Sequence, residues 1–463
     1  MKNRSERRPR VLYLAFYFPP SRASGVYRAR ATANHLAGQG WDVTVCAAPL
    51  DFLHHVVGSV DESLVETVDP RIRVERPRLN TYSWQEDLRD FSPLRRRFPF
   101  LARSLYRFGQ GRVFPERYLS WARSTVRRAL RMHARKRFDV VVATGNPFAS
   151  FAAAWVFHKL TGVPFVMDYR DSWTLDIFHD VPLFPDGHIA WAWERRTLAD
   201  ASASVFVNNA LRAWHAEHYP DVADRMMVVP NGWDADVLLD ARAQAVADRE
   251  ALEQGERPLR FAYLGTLTVK QPVEEMAEAF RIARSHPDLA DAELQLHGHL
   301  GFFKNSPRVL LERLGLDGAD TEAAVRETGL RYCGPVAKTD VARVYEDADV
   351  LVFVAGGGRY VTSGKIFEYM ASGHPIVSVH AEGIAAEEVL EGYPLWFNAE
   401  GLDVEALAAS MIAAGKAARD LTREQRAEAR RHADEYARDA VLVPFEQRLR
   451  EIAGRPRVGA AEE

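Results

Sequence analysis

The chain has 463 residues, of which 47% are apolar and 27% charged, and its formal net charge is −3. That length exceeds the span of one ordinary hydrophobic core and is sufficient for two α/β domains. The composition excludes a disordered or fibrous chain, and the small net charge gives no general attraction to nucleic acid. The two cysteines, Cys46 and Cys333, match no zinc or redox spacing, so we expect both to be small buried apolar residues in a reducing compartment.

The N-terminus combines a basic stretch with an apolar run over residues 11–18, an order that also occurs in signal peptides. The run is short, ends at Pro19-Pro20 and has no small-residue cleavage site, so we predict a β-strand. No stretch of about 18 uninterrupted apolar residues occurs, so we expect no membrane-spanning helix. A cytoplasmic protein is therefore expected.

Short apolar or β-branched runs then alternate with longer segments of helical period. This alternation predicts βαβ units and a mostly parallel sheet. In the first half the predicted strands are residues 11–17, 42–47, 140–144, 164–168, 204–207 and 227–230. A polar, alanine-rich stretch over residues 233–257 looks like the connection to the second half.

The second half repeats the scheme, with predicted strands at residues 260–265, 293–297, 330–333, 350–354 and 375–379 and a helical stretch over 422–452. We therefore predict an α/β protein with two doubly wound parallel sheets: a domain over residues 1–235, a domain over 236–430, and a C-terminal segment over 431–463. That segment is expected to comprise a helix that packs back toward the N-terminal domain and a disordered tail after Gly454. Ligands of such sheets bind beyond the carboxyl ends of the strands.

The most informative segment covers residues 350–379, where a buried strand leads into a glycine-rich loop and then the run TSGKIFEYMA. We predict a helix with Ser363 as its N-cap and Gly373 at its end. Backbone N–H groups at the helix start, together with Lys365, would bind a diphosphate. Glu368, one turn on, would accept hydrogen bonds from a ribose diol. The spacing leaves open an ordinary amphipathic helix with solvated charges.

The run SGKIFEYMASGHPIV resembles the "gKlFEYla-gkPIl" signature of a branch of glycosyltransferase family 4. Further segments are similar to that branch in the expected order: FYFPPSRASGVYRARATANHLAGQGWDVTV, FPERYLSW, FDVVVATGNPFASFAAAW, GVPFVMDYRDSW, VVPNGWD and LRFAYLGTL. The similarity extends from about Val11 to Val379. Each motif is modest, but the ordered set is specific.

The resemblance implies a GT-B fold, in which two Rossmann-like domains face a central cleft. It implies a retaining transferase without metal or other cofactor, with a nucleotide sugar in the C-terminal domain and the acceptor in the N-terminal domain. By position, Glu368 matches the ribose-binding glutamate, Lys365 the lysine of this branch, and Gly364 the residue whose backbone approaches the donor. Gly334 and Val336 belong to the loop that lies against the base.

Two positions depart from the family pattern. The second glutamate of the wider family, eight residues before Glu368, is Tyr360 here. In the "GR-x-KG" phosphate motif Thr266 replaces the arginine, and Lys270 is followed by Gln271. We assign phosphate neutralisation to Lys270, Lys365 and the helix N-terminus, with a solvated lysine as the alternative for Lys270.

Three histidine and aspartate motifs outside this signature also need an interpretation. His299 follows a strand of the same half and is assigned to the donor side, because a metal pair with His297 would lack a third ligand. The Asp-Ala-Asp triplets at residues 234–236 and 347–349 resemble metal-binding motifs, and we interpret both as incidental. No metal site is predicted.

In the N-terminal half, Gly25 and Arg28 follow the first strand, and Asp168, Arg170 and Asp171 follow another. We assign Gly25, Arg28, Arg170 and Asp171 to the acceptor side, since glycine permits close backbone approach, and we assign Asp168 to catalysis. Asp168 stands where many family members carry a histidine, and it would orient the acceptor or stabilise positive charge at the anomeric carbon. The alternative is an Asp–Arg pair that locks a loop. In the first case, Asp168→Asn lowers turnover more than donor affinity.

The stretch over residues 94–137 carries fourteen Lys or Arg residues and one acid, Glu116, interleaved with aromatic residues. Basic and aromatic residues in this combination dock on anionic membrane surfaces. Such docking would hold the protein peripherally on the inner face of the membrane. The alternative is a set of acceptor-domain helices with a solvated basic face.

The sequence thus predicts a glycosyltransferase that moves a hexose-type sugar from a nucleoside-diphosphate sugar to an acceptor hydroxyl, in polysaccharide, cell-envelope glycan or glycosylated-metabolite biosynthesis. The acceptor would be a glycan, a lipid-linked sugar or a small molecule. Two alternatives remain: a nucleotide-sugar epimerase of the same fold, and a non-catalytic GT-B partner protein. A dinucleotide-dependent enzyme is disfavoured, because neither half has G-x-G-x-x-G after a strand.

Overall fold

The computed structural model describes residues 7–85, 87, 89, 91–234, 257–301, 305–316, 321–337, 340–356 and 358–454. These residues form two compact units. The N-terminal unit contains the chain up to Pro230 and again from Leu442, and the C-terminal unit contains the chain from Asn231 to Val441. The predicted boundary between residues 235 and 236 and the predicted tail lie outside the described residues.

The N-terminal unit is built on a parallel sheet of seven strands in the order β3-β2-β1-β4-β5-β8-β9, with a separate two-stranded hairpin, β6-β7. The strands are Arg10–Leu14 (β1), Asp42–Cys46 (β2), Arg73–Glu75 (β3), Val140–Gly145 (β4), Phe165–Tyr169 (β5), Leu175–Asp176 (β6), Val181–Pro182 (β7), Ala203–Phe206 (β8) and Met226–Val228 (β9). All residues of the central strands β1 and β5 are buried, since helices cover both faces of such a sheet. This burial explains the apolar run over residues 11–14 of β1 and 165–167 of β5, while Arg10 and Asp168 are buried charged residues in the same strands.

The helices of the N-terminal unit include one supplied by the end of the chain. They are Val26–Gly38 (α1), Leu50–Phe52 (α2), Ser63–Glu66 (α3), Pro93–Arg97 (α4), Pro99–Arg112 (α5), Leu119–Arg135 (α6), Ala149–Thr161 (α7), Ile189–Asp200 (α8) and Asn209–His218 (α9), followed at the C-terminus by Val443–Ile452. This last helix is held to the rest of the unit by the Trp41 indole, which donates to Glu446 over 2.8 Å, and by Arg450, which donates to the Gln39 carbonyl over 2.7 Å.

The C-terminal unit is built on a parallel sheet of six strands in the order β12-β11-β10-β13-β14-β15. The strands are Arg260–Leu264 (β10), Glu293–His297 (β11), Leu330–Gly334 (β12), Val350–Val354 (β13), Ile376–Val379 (β14) and Trp396–Asn398 (β15). Its helices are Val273–Arg284 (α10), Ser306–Arg313 (α11), Thr321–Thr328 (α12), Val341–Asp347 (α13), Gly364–Ser372 (α14), Ala385–Leu390 (α15), Val404–Arg419 (α16), Arg423–Ala433 (α17) and Arg438–Val441 (α18). The C-terminal helix Val443–Ile452, which belongs to the N-terminal unit, is α19. Apolar core clusters lie on the two sides of the sheet.

The structure confirms each strand predicted from the sequence and adds four short ones, β3, β6, β7 and β15. These added strands have only two or three residues, too few to show a period. The helical stretch predicted over residues 422–452 is not continuous, since Ala437 has an extended backbone (φ −57°, ψ 137°) that interrupts it. None of the helices among the described residues is both long enough and apolar enough to cross a membrane.

The expectation that both cysteines are buried is correct for Cys46 and wrong for Cys333. Cys46 ends the inner strand β2 of the N-terminal sheet. Cys333 lies on β12, which is an edge strand of the C-terminal sheet, so its side chain is exposed. An edge strand lacks a neighbour on one side, and its residues are therefore less covered.

Candidate functional site

Helix α14 begins and ends where the sequence predicts. The Ser363 hydroxyl accepts a hydrogen bond from the Lys365 N–H over 3.4 Å, and Gly373 closes the helix in the left-handed conformation at φ +75°. Gly364 is exposed and Ser363 partly exposed at the first turn. The helix N-terminus, with its positive end of the dipole, therefore faces solvent and is open to an anion.

Lys365 connects this helix to the carboxyl end of strand β10. Its Nζ donates to the Leu264 carbonyl over 2.8 Å, and a Cβ built on Gly265 would lie 3.5 Å from the same Nζ. The Tyr369 hydroxyl, one turn further along the helix, accepts from the Leu264 N–H over 3.0 Å. The lysine ammonium is thus fixed beside the helix N-terminus, where two sources of positive potential add.

Glu368 is oriented by a residue that the sequence analysis missed. The hydroxyl of Tyr345, on α13, donates to Glu368 Oε2 over 2.6 Å. Tyr345 is only 1% exposed. Its burial, and to a smaller extent the negative charge of Glu368, raise the pKa of its hydroxyl well above the usual range. The phenol therefore stays a donor at every physiological pH. No motif marks Tyr345, because the pair is 23 residues apart on two helices.

The loops after β10, β11 and β12 lie close together because Gly298 contacts both neighbouring segments. This residue has φ +136°, and a Cβ placed on it would lie 1.8 Å from the Gly265 carbonyl oxygen, so only glycine fits. The Gly298 N–H donates to the Gly334 carbonyl over 2.7 Å, and the His299 carbonyl accepts from the Leu267 N–H over 2.9 Å. The structure thus brings the loops of Thr266, His299 and Gly334 to one edge of the sheet.

The two side chains nearest these loops differ in exposure. His299 is exposed, whereas Val336 is half-buried and packs against the core cluster that contains Tyr345. The Tyr263 hydroxyl donates to the Thr266 carbonyl over 3.2 Å and so restrains the loop after β10. Burial lowers the pKa of His297, the neighbouring histidine, which favours its neutral form. A neutral imidazole at this edge adds no charge of its own.

Lys270 lies at the same carboxyl edge, in the loop between β10 and α10. Its side chain is exposed, and its backbone carbonyl would lie 2.4 Å from a Cβ on Gly356 of the glycine-rich loop. Gln271, which the motif resemblance sets against a glycine, donates through Nε2 to the Val354 carbonyl over 2.9 Å and accepts from the Thr268 N–H over 2.7 Å. This glutamine therefore ties the Lys270 loop to the end of β13.

Tyr360, which the motif resemblance sets against the second glutamate of the wider family, is 6% exposed. Its side chain is part of the protein interior and supplies no carboxylate to the edge of the sheet. Of the two positions, only Glu368 therefore supplies a carboxylate.

In the N-terminal unit, Asp168 and Arg28 form a buried ion pair. The Arg28 Nη2 lies 2.8 Å from Asp168 Oδ1, and Nε lies 3.2 Å from both carboxylate oxygens, while Nη1 donates to the Pro230 carbonyl over 3.0 Å. Asp168 is 2% exposed and Arg28 5%. Burial opposes the charge of Arg28, but Asp168 outweighs it, so the pKa of the guanidinium is raised. This geometry matches the alternative that the sequence left open, an Asp–Arg pair that locks the structure.

Arg170 and Gly25 are also brought together. A Cβ on Gly25 would lie 1.4 Å from Arg170 Nη1, so the guanidinium packs directly on the glycine backbone at the start of α1. Arg170 Nη2 lies 3.3 Å from the partly exposed carboxylate of Asp171. The four predicted acceptor-side residues Gly25, Arg28, Arg170 and Asp171 therefore lie with Asp168 at the carboxyl edge of this sheet.

A buried polar network supports the chain next to Asp168. The fully buried Glu194 accepts hydrogen bonds from the hydroxyls of Tyr169 over 3.1 Å and Tyr219 over 2.8 Å, and from Thr174. His215 lies 3.5 Å from the same carboxylate. Burial alone would raise the pKa of Glu194, but the hydrogen bonds, led by His215, lower it below its usual value. The network holds the loop after β5 in place.

A second group of N-terminal residues surrounds a cavity of about 550 Å³. Its walls include Tyr106 on α5, Glu116, and the arginines Arg117, Arg123 and Arg127. Sequence analysis noted Glu116 only as the single acid of a basic segment. Its carboxylate accepts from the N–H groups at the start of α7, 3.0 Å from Phe148 N and 2.7 Å from Ala149 N, and burial raises its pKa to about 7.

The Asp-Ala-Asp triplets have structural partners. Asp349 binds Arg257 over 2.8 Å and accepts from the Arg260 N–H over 2.8 Å, while Asp234 lies 3.3 Å from Arg438. Residues 235 and 236 lie outside the described residues. Within the described part of the chain, no group of three or more His, Cys, Asp or Glu side chains is arranged to hold a metal ion.

Comparisons with known proteins place this geometry in a family. The model of the glycosyl transferase 4-like domain matches residues 25–232, and the model of the glycosyl transferases group 1 matches residues 258–415. A search with the sequence among curated proteins gives no match.

Several solved structures share the fold. A glycosyltransferase from Rickettsia africae superposes with a TM-score of 0.65 at 14% identity, over 96% of this chain and 98% of that one. Sucrose-phosphate synthase from Thermosynechococcus elongatus gives a TM-score of 0.63 at 15% identity, over 96% and 100%. HepE from Anabaena, in complex with UDP, gives a TM-score of 0.59 at 14% identity, over 96% and 100%. With two parallel α/β units and both family domains, the chain belongs to the family 4-like glycosyltransferases of GT-B fold.

Proposed function

We propose that this glycosyltransferase moves a hexose-type sugar from a nucleoside-diphosphate sugar to an acceptor hydroxyl, with retention of configuration. The observation that carries the proposal is the arrangement of Ser363, Lys365 and Glu368 on the first two turns of α14, at the carboxyl edge of the C-terminal sheet. The solved structure of HepE holds UDP, which supports a nucleotide sugar as the donor here. Polysaccharide, cell-envelope glycan or glycosylated-metabolite assembly would use such a reaction.

The donor diphosphate would bind at the N-terminus of α14. The backbone N–H of Gly364, the positive end of the helix dipole and the Lys365 ammonium would act together on the same anion, while the N–H groups of Lys365 and Ile366 bond to Ser363. Lys270 would add a cation from the loop that packs on Gly356. Glu368, held by Tyr345, would accept from the ribose hydroxyls. The loop of Gly334 and Val336, with Thr266 and His299 beside it, would lie against the base and sugar.

Leaving-group stabilisation would supply most of the rate acceleration. When the sugar–phosphate bond breaks, charge grows on the diphosphate, and Lys365 and the helix dipole then interact with it more strongly than in the ground state. Both are already fixed in position, Lys365 by its 2.8 Å contact with the Leu264 carbonyl, so little reorganisation is needed. We propose that this neutralisation needs no metal ion, and that activity persists in EDTA.

The N-terminal unit would bind the acceptor. Gly25, Arg28, Arg170 and Asp171 lie together after β1 and β5, and Arg170 and Asp171 are partly exposed. Asp168 and Arg28 are both covered, so we propose that they act as positioning residues for the partly exposed Arg170 and Asp171. An acceptor that bears a phosphate or carboxylate would fit the arginine-lined cavity next to Glu116.

The test is a donor-conversion assay with a panel of nucleotide sugars, with and without added acceptor, followed by mass spectrometry. Transfer predicts nucleoside diphosphate and a glycosylated product only with acceptor, and NMR of the product gives the anomeric configuration. Glu368→Ala should abolish transfer, while Glu391→Ala, an exposed glutamate of the same unit, should not. Conversion of donor to an epimer without acceptor would identify the epimerase alternative. No binding of any donor would identify a non-catalytic partner protein.

A further inference from the structure

Helices α4 and α5 are unusual because neither contains a buried residue. Their apolar side chains face solvent instead. The exposed fractions on the helices are 83% for Phe100, 74% for Leu94, 64% for Leu105, 60% for Phe108 and 58% for Leu101. The flanking residues Val113 and Phe98 are 50% and 48% exposed. We call residues 93–113 the α4–α5 surface. Contiguous exposed apolar side chains of this size mark a binding surface on a folded protein.

The next helix shows that this exposure is specific to α4 and α5. Helix α6 belongs to the same basic segment, yet it buries Trp121, Val126 and Met132 along one face. The basic segment predicted over residues 94–137 therefore has two parts. Its second part is a core helix with a solvated basic face, and only its first part presents apolar side chains to solvent.

The charge of the α4–α5 surface has one sign. It contains six arginines and no acidic residue, and the nearest acid after it in the chain is Glu116. Arg112 lies 5.3 Å from the ring of Phe108, and Arg97 lies 5.9 Å from the ring of Phe98. The guanidinium groups of Arg97 and Arg112 thus border exposed rings of this surface, whereas Arg95 and Arg96 donate to backbone carbonyls between residues 82 and 91.

We propose that the α4–α5 surface docks this protein on an anionic lipid bilayer. Exposed phenylalanines and leucines enter the boundary between headgroups and acyl chains, and arginines at their side bind lipid phosphates. A second copy of this chain fits less well, because a twofold contact would bring this one-signed surface against itself and repel. The bilayer supplies the opposite charge and the apolar layer together. This inference does not depend on the identity of the sugar donor.

The cavity beside Glu116 lies at the margin of this surface. Leu105 and Val113 contribute to the surface and also to the cavity wall. A protein held on the bilayer by its α4–α5 surface therefore has the arginine-lined cavity close to the headgroup layer.

The experiment is co-sedimentation of the full-length protein with vesicles of phosphatidylcholine alone or with phosphatidylglycerol added, over a range of salt. Binding to anionic vesicles should be at least about tenfold tighter than to neutral ones and should weaken as salt screens the charges. The double variants Phe100→Ser/Phe108→Ser and Arg103→Gln/Arg107→Gln should each lose about tenfold in affinity. Leu160→Ser, at a residue 62% exposed on α7, is the matched control and should bind like the wild type.

Thermal unfolding checks that each variant remains folded. Equal binding to both kinds of vesicle at low salt would overturn the proposal, as would variants that bind like the wild type. Sedimentation velocity gives a further contrary outcome: a dimer that is lost in the phenylalanine variant, without vesicle binding, would assign the surface to a second copy of the chain.

Discussion

The buried pair of Arg28 and Asp168 gives a prediction whose size follows from the structure. Asp168→Asn keeps the shape of the side chain but removes its charge, and it leaves a guanidinium that is 5% exposed without its counter-charge. Breaking a buried ion pair from one side costs about 3–5 kcal/mol. Asparagine can still accept one hydrogen bond, so we expect the lower end, about 3 kcal/mol. At roughly 2–4 °C per kcal/mol, the melting temperature should fall by about 6–12 °C.

Differential scanning calorimetry is the suitable assay, because a chain with two units can unfold in two transitions. The matched control is Asp224→Asn, also in the N-terminal unit, whose side chain is 83% exposed. That change should alter stability by less than about 0.5 kcal/mol. A melting temperature of Asp168→Asn within about 1 °C of the control would refute the argument from burial. A cycle with Arg28→Met should give a coupling energy of about 0.5–3 kcal/mol, whereas additive effects would show that the pair does not act as a unit.

The same variant tests the role of Asp168 in the reaction. We expect Asp168→Asn to lower turnover much more than donor affinity, because the proposed donor residues belong to the other unit. Steady-state kinetics and donor titration measure the two quantities separately. Equal losses in both would remove the assigned role and leave a purely structural ion pair.

Three further predictions concern single side chains. Tyr345→Phe removes the 2.6 Å hydrogen bond to Glu368 and should weaken nucleotide affinity about tenfold, or about 1.4 kcal/mol, in calorimetric titration, whereas unchanged affinity would exclude an orienting role. Gly298→Ala places a Cβ 1.8 Å from a backbone carbonyl at φ +136° and should cost at least about 3 kcal/mol in unfolding experiments, while Gly38→Ala, with no atom within 4 Å of its Cβ, should be neutral or slightly stabilising. Burial raises the pKa of Glu116 to about 7 from 4.5, so the folded protein binds this proton more tightly than the unfolded chain; its contribution to stability is complete below about pH 4.5 and is lost as the pH rises through 7. The melting temperature of wild type relative to Glu116→Gln should fall across that pH range, and a constant difference would contradict the assignment.

The elements that the sequence predicted well are those encoded locally. The central strands contain short apolar runs bounded by turn residues, and both sheets were predicted from these runs. Helix α14 was placed to the residue, because Ser363 as N-cap and Gly373 in the left-handed conformation are properties of single positions. The GT-B fold then followed from the order of the family motifs.

The parts that escaped prediction depend on contacts between distant segments. Tyr345 and Glu368 meet across two helices, and Gln271 reaches the end of β13, which is 83 residues away. Glu116 joins the start of α7 by side-chain contacts to two backbone amides. The burial of Asp168 favours an ion pair with Arg28 over direct contact with a substrate. No local sequence pattern distinguishes a covered carboxylate from an exposed one. The exposure of Cys333 could not be predicted, because it depends on which strand lies at the edge of the sheet, and that is set by the topology.

We propose that α14 and its neighbouring loops bind a nucleoside diphosphate and its sugar. The most direct measurement is thermal unfolding of the wild type and of Glu368→Ala with UDP, GDP, dTDP, ADP and their sugars. At about 100 times the dissociation constant, a ligand stabilises the folded protein by about 2.7 kcal/mol, or about 5–10 °C for a unit of this size. We expect such a shift with one nucleotide and its sugar, and we expect the shift to be lost in Glu368→Ala. No shift with any nucleotide, or an equal shift in the variant, would contradict it.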